Sequence, residues 1–304
     1  MRVMAIDIGT NSTLHLVADV SEIGILVVDR GIVGNSLGAD IGADGVLSPQ
    51  LLKKNLLILQ ELVTKSRRLN CENIGAVGTY ALRRAANPQE FVVVAQTIGV
   101  PVEIISENDE ARLAWRGVFG KTGPDEFTGL LDIGGGSCEL LLGKGSDLEC
   151  SDSIPTGAVT LALQFFVHDP PEPDETKKAE EALANYFTGW AEHKSRDFTL
   201  FGIAGTITAL TAIKYGLTEY VPGCLDELKL TSNDVKRAKS RMLTLSLKQR
   251  EAIPGMPPAR AESIHAGVMI LDSILTVINK DEIIVSERGV LFGLAQKLAE
   301  DSDL

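Results

Sequence analysis

The chain predicts an α/β fold of two duplicated domains facing each other across a cleft. Three observations carry this. The stretch Ala5-Ile6-Asp7-Ile8-Gly9-Thr10-Asn11-Ser12, an apolar strand ending in Asp and a turn of small residues, returns as Leu131-Asp132-Ile133-Gly134-Gly135-Gly136-Ser137. Each copy opens the same succession, three strands and then helices alternating with strands. A length of 304 residues suits about two domains, and a 44% hydrophobic content is ample for two cores.

In the first half, residues 3–8, 14–20 and 24–30 read as a strand meander. Ser48-Pro49 opens a long amphipathic helix with Leu51, Leu52, Leu56, Leu59, Leu62 and Val63 on one face. Residues 74–77 form a short buried strand, Asn87-Pro88 starts a helix ending near Gly99, and 102–105 is a strand. Ser106 caps a helix from Asn108 to about Val118, with Asp109 and Glu110 in its first turn. The second half restarts with strands at 128–133, 139–143 and 148–154 and a helix from Gly157. The loop Asp169-Pro170-Pro171-Glu172-Pro173-Asp174 leads into a helix at about Glu175. Residues 199–203 are a strand, Gly205-Thr206 open a helix, and 282–285 is the last strand before a closing helix and a frayed acidic tail, Asp301-Ser302-Asp303-Leu304. The Gly- and Pro-bearing stretch 117–126 marks the boundary. It gives domains at 1–118 and 119–290, with 291–304 packing back on the first.

Net charge is −12, from 41 acidic and 29 basic residues, and no Lys/Arg run gives the basic footprint of a nucleic-acid binder. No apolar run approaches the ~18 residues that span a bilayer. The start, Met1-Arg2-Val3-Met4-Ala5-Ile6-Asp7, enters a strand without a signal-peptide pattern. Cys71, Cys138, Cys150 and Cys224 lie far apart with no CxxC pair, which argues against a zinc site or disulfide framework and for a cytoplasmic location.

Small residues let backbone N–H groups approach an anion, and consecutive N–H groups in a turn form an anion-binding concavity. An Asp at each strand end is placed to hold a divalent cation directly or through water. The competing reading, two ordinary hairpins whose glycines satisfy turn geometry, suits one copy better than two. An acidic chain repels a polyanion, so local arginines, N–H groups and a bound cation must overcome the global field.

Several blocks, in order, carry a resemblance. They are residues 7–12; Gly78-Thr79-Tyr80-Ala81-Leu82-Arg83-Arg84-Ala85-Ala86-Asn87; Ile104-Ile105-Ser106-Glu107-Asn108-Asp109-Glu110-Ala111-Arg112-Leu113; Asp132 to Glu139; Gly202-Ile203-Ala204-Gly205-Thr206; and Pro254-Gly255-Met256-Pro257-Pro258-Ala259-Arg260-Ala261-Glu262. Together they resemble the exopolyphosphatase/guanosine pentaphosphate phosphatase (Ppx/GppA) family in its short two-domain form, within the actin-like (ribonuclease H-like) superfamily of actin, hexokinase and Hsp70.

The resemblance implies a hydrolase of terminal phosphoanhydride bonds: an exopolyphosphatase, with guanosine pentaphosphate as the alternative substrate. It makes Glu110 the catalytic base that orients a water and takes its proton. Arg83 matches the phosphate-binding arginine, whose planar fork suits phosphate. Asp132 and Glu139, seven positions apart across a hairpin, would flank Mg²⁺ (Mn²⁺ being the second candidate), and Asp7 would join through the same metal or a water. Thr10, Asn11, Ser12, Gly134, Gly135, Gly136 and Ser137 would donate to phosphate oxygens, mostly through the backbone. Gly205 and Thr206 resemble a third ligand loop at a helix N-terminus, with plain helix capping as the competing reading. From spacing alone, Glu110 is a first-turn acid or half of a surface pair with Arg112, and His15 a packing residue; for Glu139 the competing reading is an exposed strand residue. The expected partners are polyphosphate or guanosine penta- or tetraphosphate; a homodimer is left open.

Three positions depart from the family pattern. Cys138 stands where Thr is usual. Ser36, in Asn35-Ser36-Leu37-Gly38, and Leu291, in Ser286-Glu287-Arg288-Gly289-Val290-Leu291-Phe292-Gly293, stand where arginines are common. Losing two cations weakens the case for long polyphosphate. It also keeps a second class of function in view, an alarmone- or nucleotide-binding regulator without fast turnover. Sugar-kinase-like phosphotransfer rests on fold analogy alone.

Overall fold

The computed structural model describes residues 1–37, 45–219 and 221–301. Gly38 and tail residues 302–304 lie outside them. The chain forms two compact units, Met1–Thr122 with the segment beginning at Arg288, and Gly123–Glu287.

In the first unit β1 (Arg2–Ile8), β2 (Ser12–Ser21) and β3 (Gly24–Gly34) form an antiparallel meander. There follow α1 (Pro49–Arg68), β4 (Asn73–Gly78), the short helix α2 (Tyr80–Arg84), α3 (Pro88–Thr97), β5 (Val102–Ile104) and α4 (Glu107–Phe119). The sheet order is β3-β2-β1-β4-β5, with β4 parallel to β1 and β5 parallel to β4. Ser48 starts α1 by accepting the Leu51 N–H at 3.2 Å, and Pro49 gives up no intrahelical bond there. The buried face of α1 carries Leu51, Ile58, Leu59, Leu62 and Val63. It packs with Phe91 and Ala95 of α3 over Met4, Ile6 and Ile8, each side chain contributing about 1.5–3 kcal/mol on full burial.

The second unit repeats the plan. It holds β6 (Thr128–Ile133), β7 (Cys138–Lys144), β8 (Asp147–Ile154), α5 (Ala158–Phe165), α6 (Pro173–Tyr186), β9 (Thr199–Ile203) and α7 (Ala204–Tyr215). Then come β10 (Lys229–Thr231), α8 (Ser232–Met242), α9 (Leu247–Glu251), α10 (Ile264–Val277) and β11 (Glu282–Val285). The order β10-β11-β9-β6-β7-β8 is that of the first sheet with one antiparallel edge strand added. Its core is built on Leu131, Leu140, Leu142, Phe187, Trp190 and Ile270.

The duplication reaches into detail. β3 carries an extra residue opposite the Val17/Ala18 step of β2, and β8 carries one opposite Leu142/Gly143 of β7. Those steps stand 125 positions apart, as do Asp7 and Asp132. Such a bulge bends an outer strand and strengthens its twist.

Some element limits differ from the sequence expectation. β2 starts at Ser12, so the hydroxyl closing the first turn already belongs to the strand. α6 starts at Pro173 rather than near Glu175, because Glu175 folds back onto the N–H of Glu172 at 2.9 Å and closes a capping box. The helices α2, α8, α9 and α10 and the strand β10 were not foreseen; α2, α9 and β10 are too short to show a period.

After β11 the chain returns to the first unit as α11 (Val290–Glu300), which packs on α4, β1 and β2. The α4 and α11 backbones touch. A Cβ on Gly117 would overlap the Gly289 carbonyl, and one on Gly293 would overlap that of Leu113. Arg116 ties the pair through Glu300 at 2.6 Å. Among the described residues no helix is long and apolar enough to cross a membrane.

Candidate active site

Both Asp-led hairpins close in the same way. Gly9 N–H donates to Ser12 O and Gly134 N–H to Ser137 O, each at 3.0 Å. Most of the remaining carbonyls of both loops are engaged by donors from neighbouring chain. In the second loop Ala158 N–H reaches Gly134 O at 2.9 Å, and Val159 and Thr160 N–H reach Gly135 O at 2.9 and 3.1 Å. These donors are the first turn of α5, which has no intrahelical acceptors for them. Gly157 permits the approach, since a Cβ there would sit 2.5 Å from the Gly135 carbonyl carbon. In the first loop the Asn35 amide donates to Gly9 O at 2.9 Å, and the backbone N–H groups of Asn35 and Ser36 point at Asn11 O. Oxygens held back in this way leave a turn whose outward character is set by its N–H groups. The Thr10, Ser12 and Ser137 side chains are buried and Asn11 is half-buried.

Arg83 and Glu110 come together in the first unit. Arg83 lies on α2, and Glu110 in the first turn of α4, whose start is fixed by Ser106 accepting the Asp109 N–H at 3.1 Å. Arg83 Nη1 donates to Glu110 Oε2 at 2.6 Å and to Ile105 O at 3.1 Å. Nη2 is buried and makes no hydrogen bond within the described residues, with Glu107 3.9 Å away. Burial pushes the Glu110 carboxyl above its ordinary value, against the pull of the Arg83 guanidinium, and Glu107 adds to the rise. The partner of Glu110 is thus Arg83 and not Arg112. Asp109 is exposed and spends its carboxylate on the Ser106 hydroxyl at 2.7 Å. Arg84 is exposed, its guanidinium over the Tyr80 ring.

In the second unit Asp132 and Glu139 stand directly opposite each other in the β6–β7 register. Residues so paired share a face of the sheet. Glu139 is buried rather than exposed, and Ser153 Oγ donates to its Oε1 at 3.1 Å. Asp7, the equivalent of Asp132, faces Leu14 in the first hairpin, so only the second hairpin carries the carboxylate pair. Among the described residues no three His, Cys, Asp or Glu side chains gather as a metal set. The pair still fits Mg²⁺, which takes hard oxygen donors and is commonly held by one or two carboxylates together with waters and substrate phosphate.

At the third expected loop, β9 turns into α7 through Ala204, whose φ of 68° is left-handed and strained for a side chain with a Cβ. Thr206 is buried against Gly267 of α10, while the Arg260 guanidinium lies against Gly205. Thr206 thus packs on α10, and the Arg260 guanidinium at Gly205 is a cation that sequence reading did not assign. Arg260 was visible within the Pro254–Glu262 block, but only the fold brings it to Gly205.

The two positions without the expected arginines differ. Leu291 is buried in α11. Ser36 receives the Lys54 ammonium at 3.1 Å, so a cation still reaches that spot. Cys138 is fully buried and its thiol is pushed up by burial. His15 is buried, bonding Asp29 at 2.9 Å beside Lys65.

His265, on α10, packs against the end of α5. Its ring stacks on Phe166 at the end of α5, and burial lowers its pKa from 6.5 to about 4, with Arg250 lowering it further and Asp169 opposing. As pH falls below 6.5 the unfolded chain takes up a proton that the folded ring refuses until about 4, so stability is lost across that window. Between pH 7 and 5 the expected loss is about 2 kcal/mol. Urea midpoints at the two pH values should show it, and His265→Leu should flatten the difference; an equal drop in the variant would overturn the assignment.

The chain matches the Ppx/GppA phosphatase family over residues 16–300. It is 28% identical over 318 aligned positions to exopolyphosphatase 2 of Mycobacterium tuberculosis, covering 98% of each chain. It resembles the solved Ppx/GppA family member of Aquifex aeolicus with a TM-score of 0.83 at 30% identity, covering 99% of this chain and 98% of that one. An exopolyphosphatase from Cytophaga hutchinsonii gives a TM-score of 0.88 at 23% identity, covering 99% and 98%, a likeness of fold alone. The fold is the actin-like one of these structures. With the match running through both units, the chain belongs to the Ppx/GppA phosphatase family and is by that membership a hydrolase of phosphoanhydride bonds.

Proposed function

We propose that the chain is an exopolyphosphatase that releases terminal orthophosphate from short inorganic polyphosphate by direct attack of water. Glu110 orients the water in line with the terminal phosphorus and takes its proton. Arg83 holds Glu110 with Nη1 and turns Nη2 to a phosphate oxygen, the planar fork serving both at once. The loops at residues 9–12 and 134–137 bind phosphate oxygens through backbone N–H groups. Asp132 and Glu139 would hold Mg²⁺, whose charge neutralises phosphoryl oxygens, with Asp7 assisting through a water. No covalent intermediate is required.

One observation carries the reading. A half-buried guanidinium, whose buried Nη2 is an unused donor, lies 2.6 Å from a carboxylate that burial pushes toward a more basic value. That is the constitution of a general base beside an anion site. The likeness to exopolyphosphatase 2 favours polyphosphate as substrate. Guanosine pentaphosphate is the second substrate.

The test is phosphate release with Mg²⁺ from short polyphosphate, long polyphosphate and guanosine pentaphosphate in parallel. Release is expected from the short polymer above the other two. A folded protein that releases nothing from any of them would overturn the hydrolytic reading in favour of alarmone binding. Chelation should stop release, and Glu139→Gln should raise the Mg²⁺ needed for half-maximal rate by about tenfold or more. An unchanged Mg²⁺ requirement would remove Glu139 from the metal site.

A further inference from the structure

The two phosphate-loop candidates hold their carbonyls back by different means. The second loop uses the N-terminus of α5. Among the described residues the first has no helix there, and one side chain takes that part. Asn35 is fully buried. Its Nδ2 donates to Gly9 O at 2.9 Å and to Thr13 Oγ1 at 3.1 Å, and its Oδ1 accepts the Leu37 N–H at 3.1 Å. Gly9 O can only accept and Leu37 N–H can only donate, so the orientation of the amide is fixed by chemistry. Its backbone N–H reaches Asn11 O at 3.0 Å, beside that of Ser36 at 3.4 Å. Asn55, also buried, donates from Nδ2 to the Asn35 carbonyl at 3.4 Å and to Leu51 O at 3.0 Å, anchoring the arrangement to α1.

We propose that Asn35 is a positioning residue for the first phosphate loop, its amide doing for residues 9–12 what the first turn of α5 does for residues 134–137. It touches no substrate. Its role is to keep the Gly9 and Asn11 carbonyls turned inward, so that an arriving phosphate meets N–H groups. A carbonyl released toward the phosphate would replace attraction by repulsion in a partly desolvated site. The inference rests on the loop being an anion site, as in the proposed function.

Asn35→Asp is the informative change. It keeps the shape, but the ionised carboxylate cannot donate to Gly9 O and repels it. The protonated acid can donate, and burial favours that form. Its hydrogen-bond partners, in Gly9, Thr13, Leu37 and Asn55, do not titrate; the titratable groups on the elements around it are Asp7 on β1, His15 on β2 and Lys54 on α1, which bonds Ser36. Asn35→Asp should therefore lose activity as pH rises, with a new ionisation in kcat/KM absent from the native chain.

The full chain is compared with Asn35→Asp, Asn35→Ala and Asn55→Ala. The readouts are phosphate release from short polyphosphate with Mg²⁺ from acid to alkaline pH, polyphosphate binding by calorimetry, and thermal unfolding. Asn35→Ala and alkaline Asn35→Asp should lose roughly ten- to a hundredfold in kcat/KM, with acid rescue of Asn35→Asp alone. Asn55→Ala should show a smaller loss of the same kind, and it decides the matter if neither Asn35 variant folds. Native activity matched by all folded variants would overturn the role of Asn35 and leave the hydrolase standing. A native chain that binds polyphosphate without releasing phosphate, with binding weakened in the variants, would keep Asn35 and overturn the hydrolase. A native chain that does neither overturns both.

Discussion

Glu110→Gln is expected to lower kcat for phosphate release by about 10²–10⁴-fold, the usual worth of a positioned general base, while polyphosphate still binds. The substitution is conservative where it stands. A glutamine oxygen can accept from Arg83 Nη1 as Glu110 does at 2.6 Å, so the guanidinium keeps its place and the fold is undisturbed. What is lost is the ability to take a proton. The pH dependence follows from the same environment. Burial raises the Glu110 carboxyl above its ordinary value, and the base works only when ionised. The native rate should fall on acidification through a pKa above that of a free glutamate. Single-turnover phosphate release separates the chemical step from binding. A Glu110→Gln enzyme with native kcat would end the assignment of the base, and Asp109, committed to its helix cap, would not rescue it.

A large stability effect is expected at Gly117. Gly117→Ala drives a methyl into the Gly289 carbonyl, and both partners are backbone, which cannot swing aside like a side chain. α11 must move off α4, at a cost of about 3 kcal/mol and roughly 10 °C in the melting of the first unit. Gly34→Ala is the control, since a Cβ there meets nothing within 4 Å. Because α4 also carries Glu110, the Gly117 variant should lose activity before it unfolds. Equal melting of the two variants would show that the helix contact relaxes at no cost.

The sequence made the architecture legible where local chemistry is written in single residues. The paired Asp-Ile-Gly turns, Ser48-Pro49 and Ser106 each mark a boundary by a hydrogen bond that the structure contains. The helices α8, α9 and α10 went unread. α10 is buried on nearly every side, so no 3.6-residue stripe separates core from solvent. The candidate site was legible in its titrating residues and hidden in its supports. Glu110 and Arg83 stand in recognisable blocks, but their 2.6 Å bond depends on α2, a five-residue helix too short to foresee. Glu139 was read as a metal ligand, with an exposed strand acid as the competing reading; it is buried, with Ser153 of β8 opposite it. Asn35 carried no signal at all, because a neutral amide in a loop becomes a brace only when three separate stretches of chain converge on it.

The return of α11 to the first unit has a consequence for synthesis. Residues 123–287 are contiguous and can condense as soon as they leave the ribosome, in the manner of domains that fold as units during translation. The unit that begins at Met1 cannot, because its sheet and α4 are covered by a helix made some 170 residues after α4 ends. The half translated first is thus the half finished last, and the helix bearing Glu110 stays open on one flank until the closing turn of chain emerges.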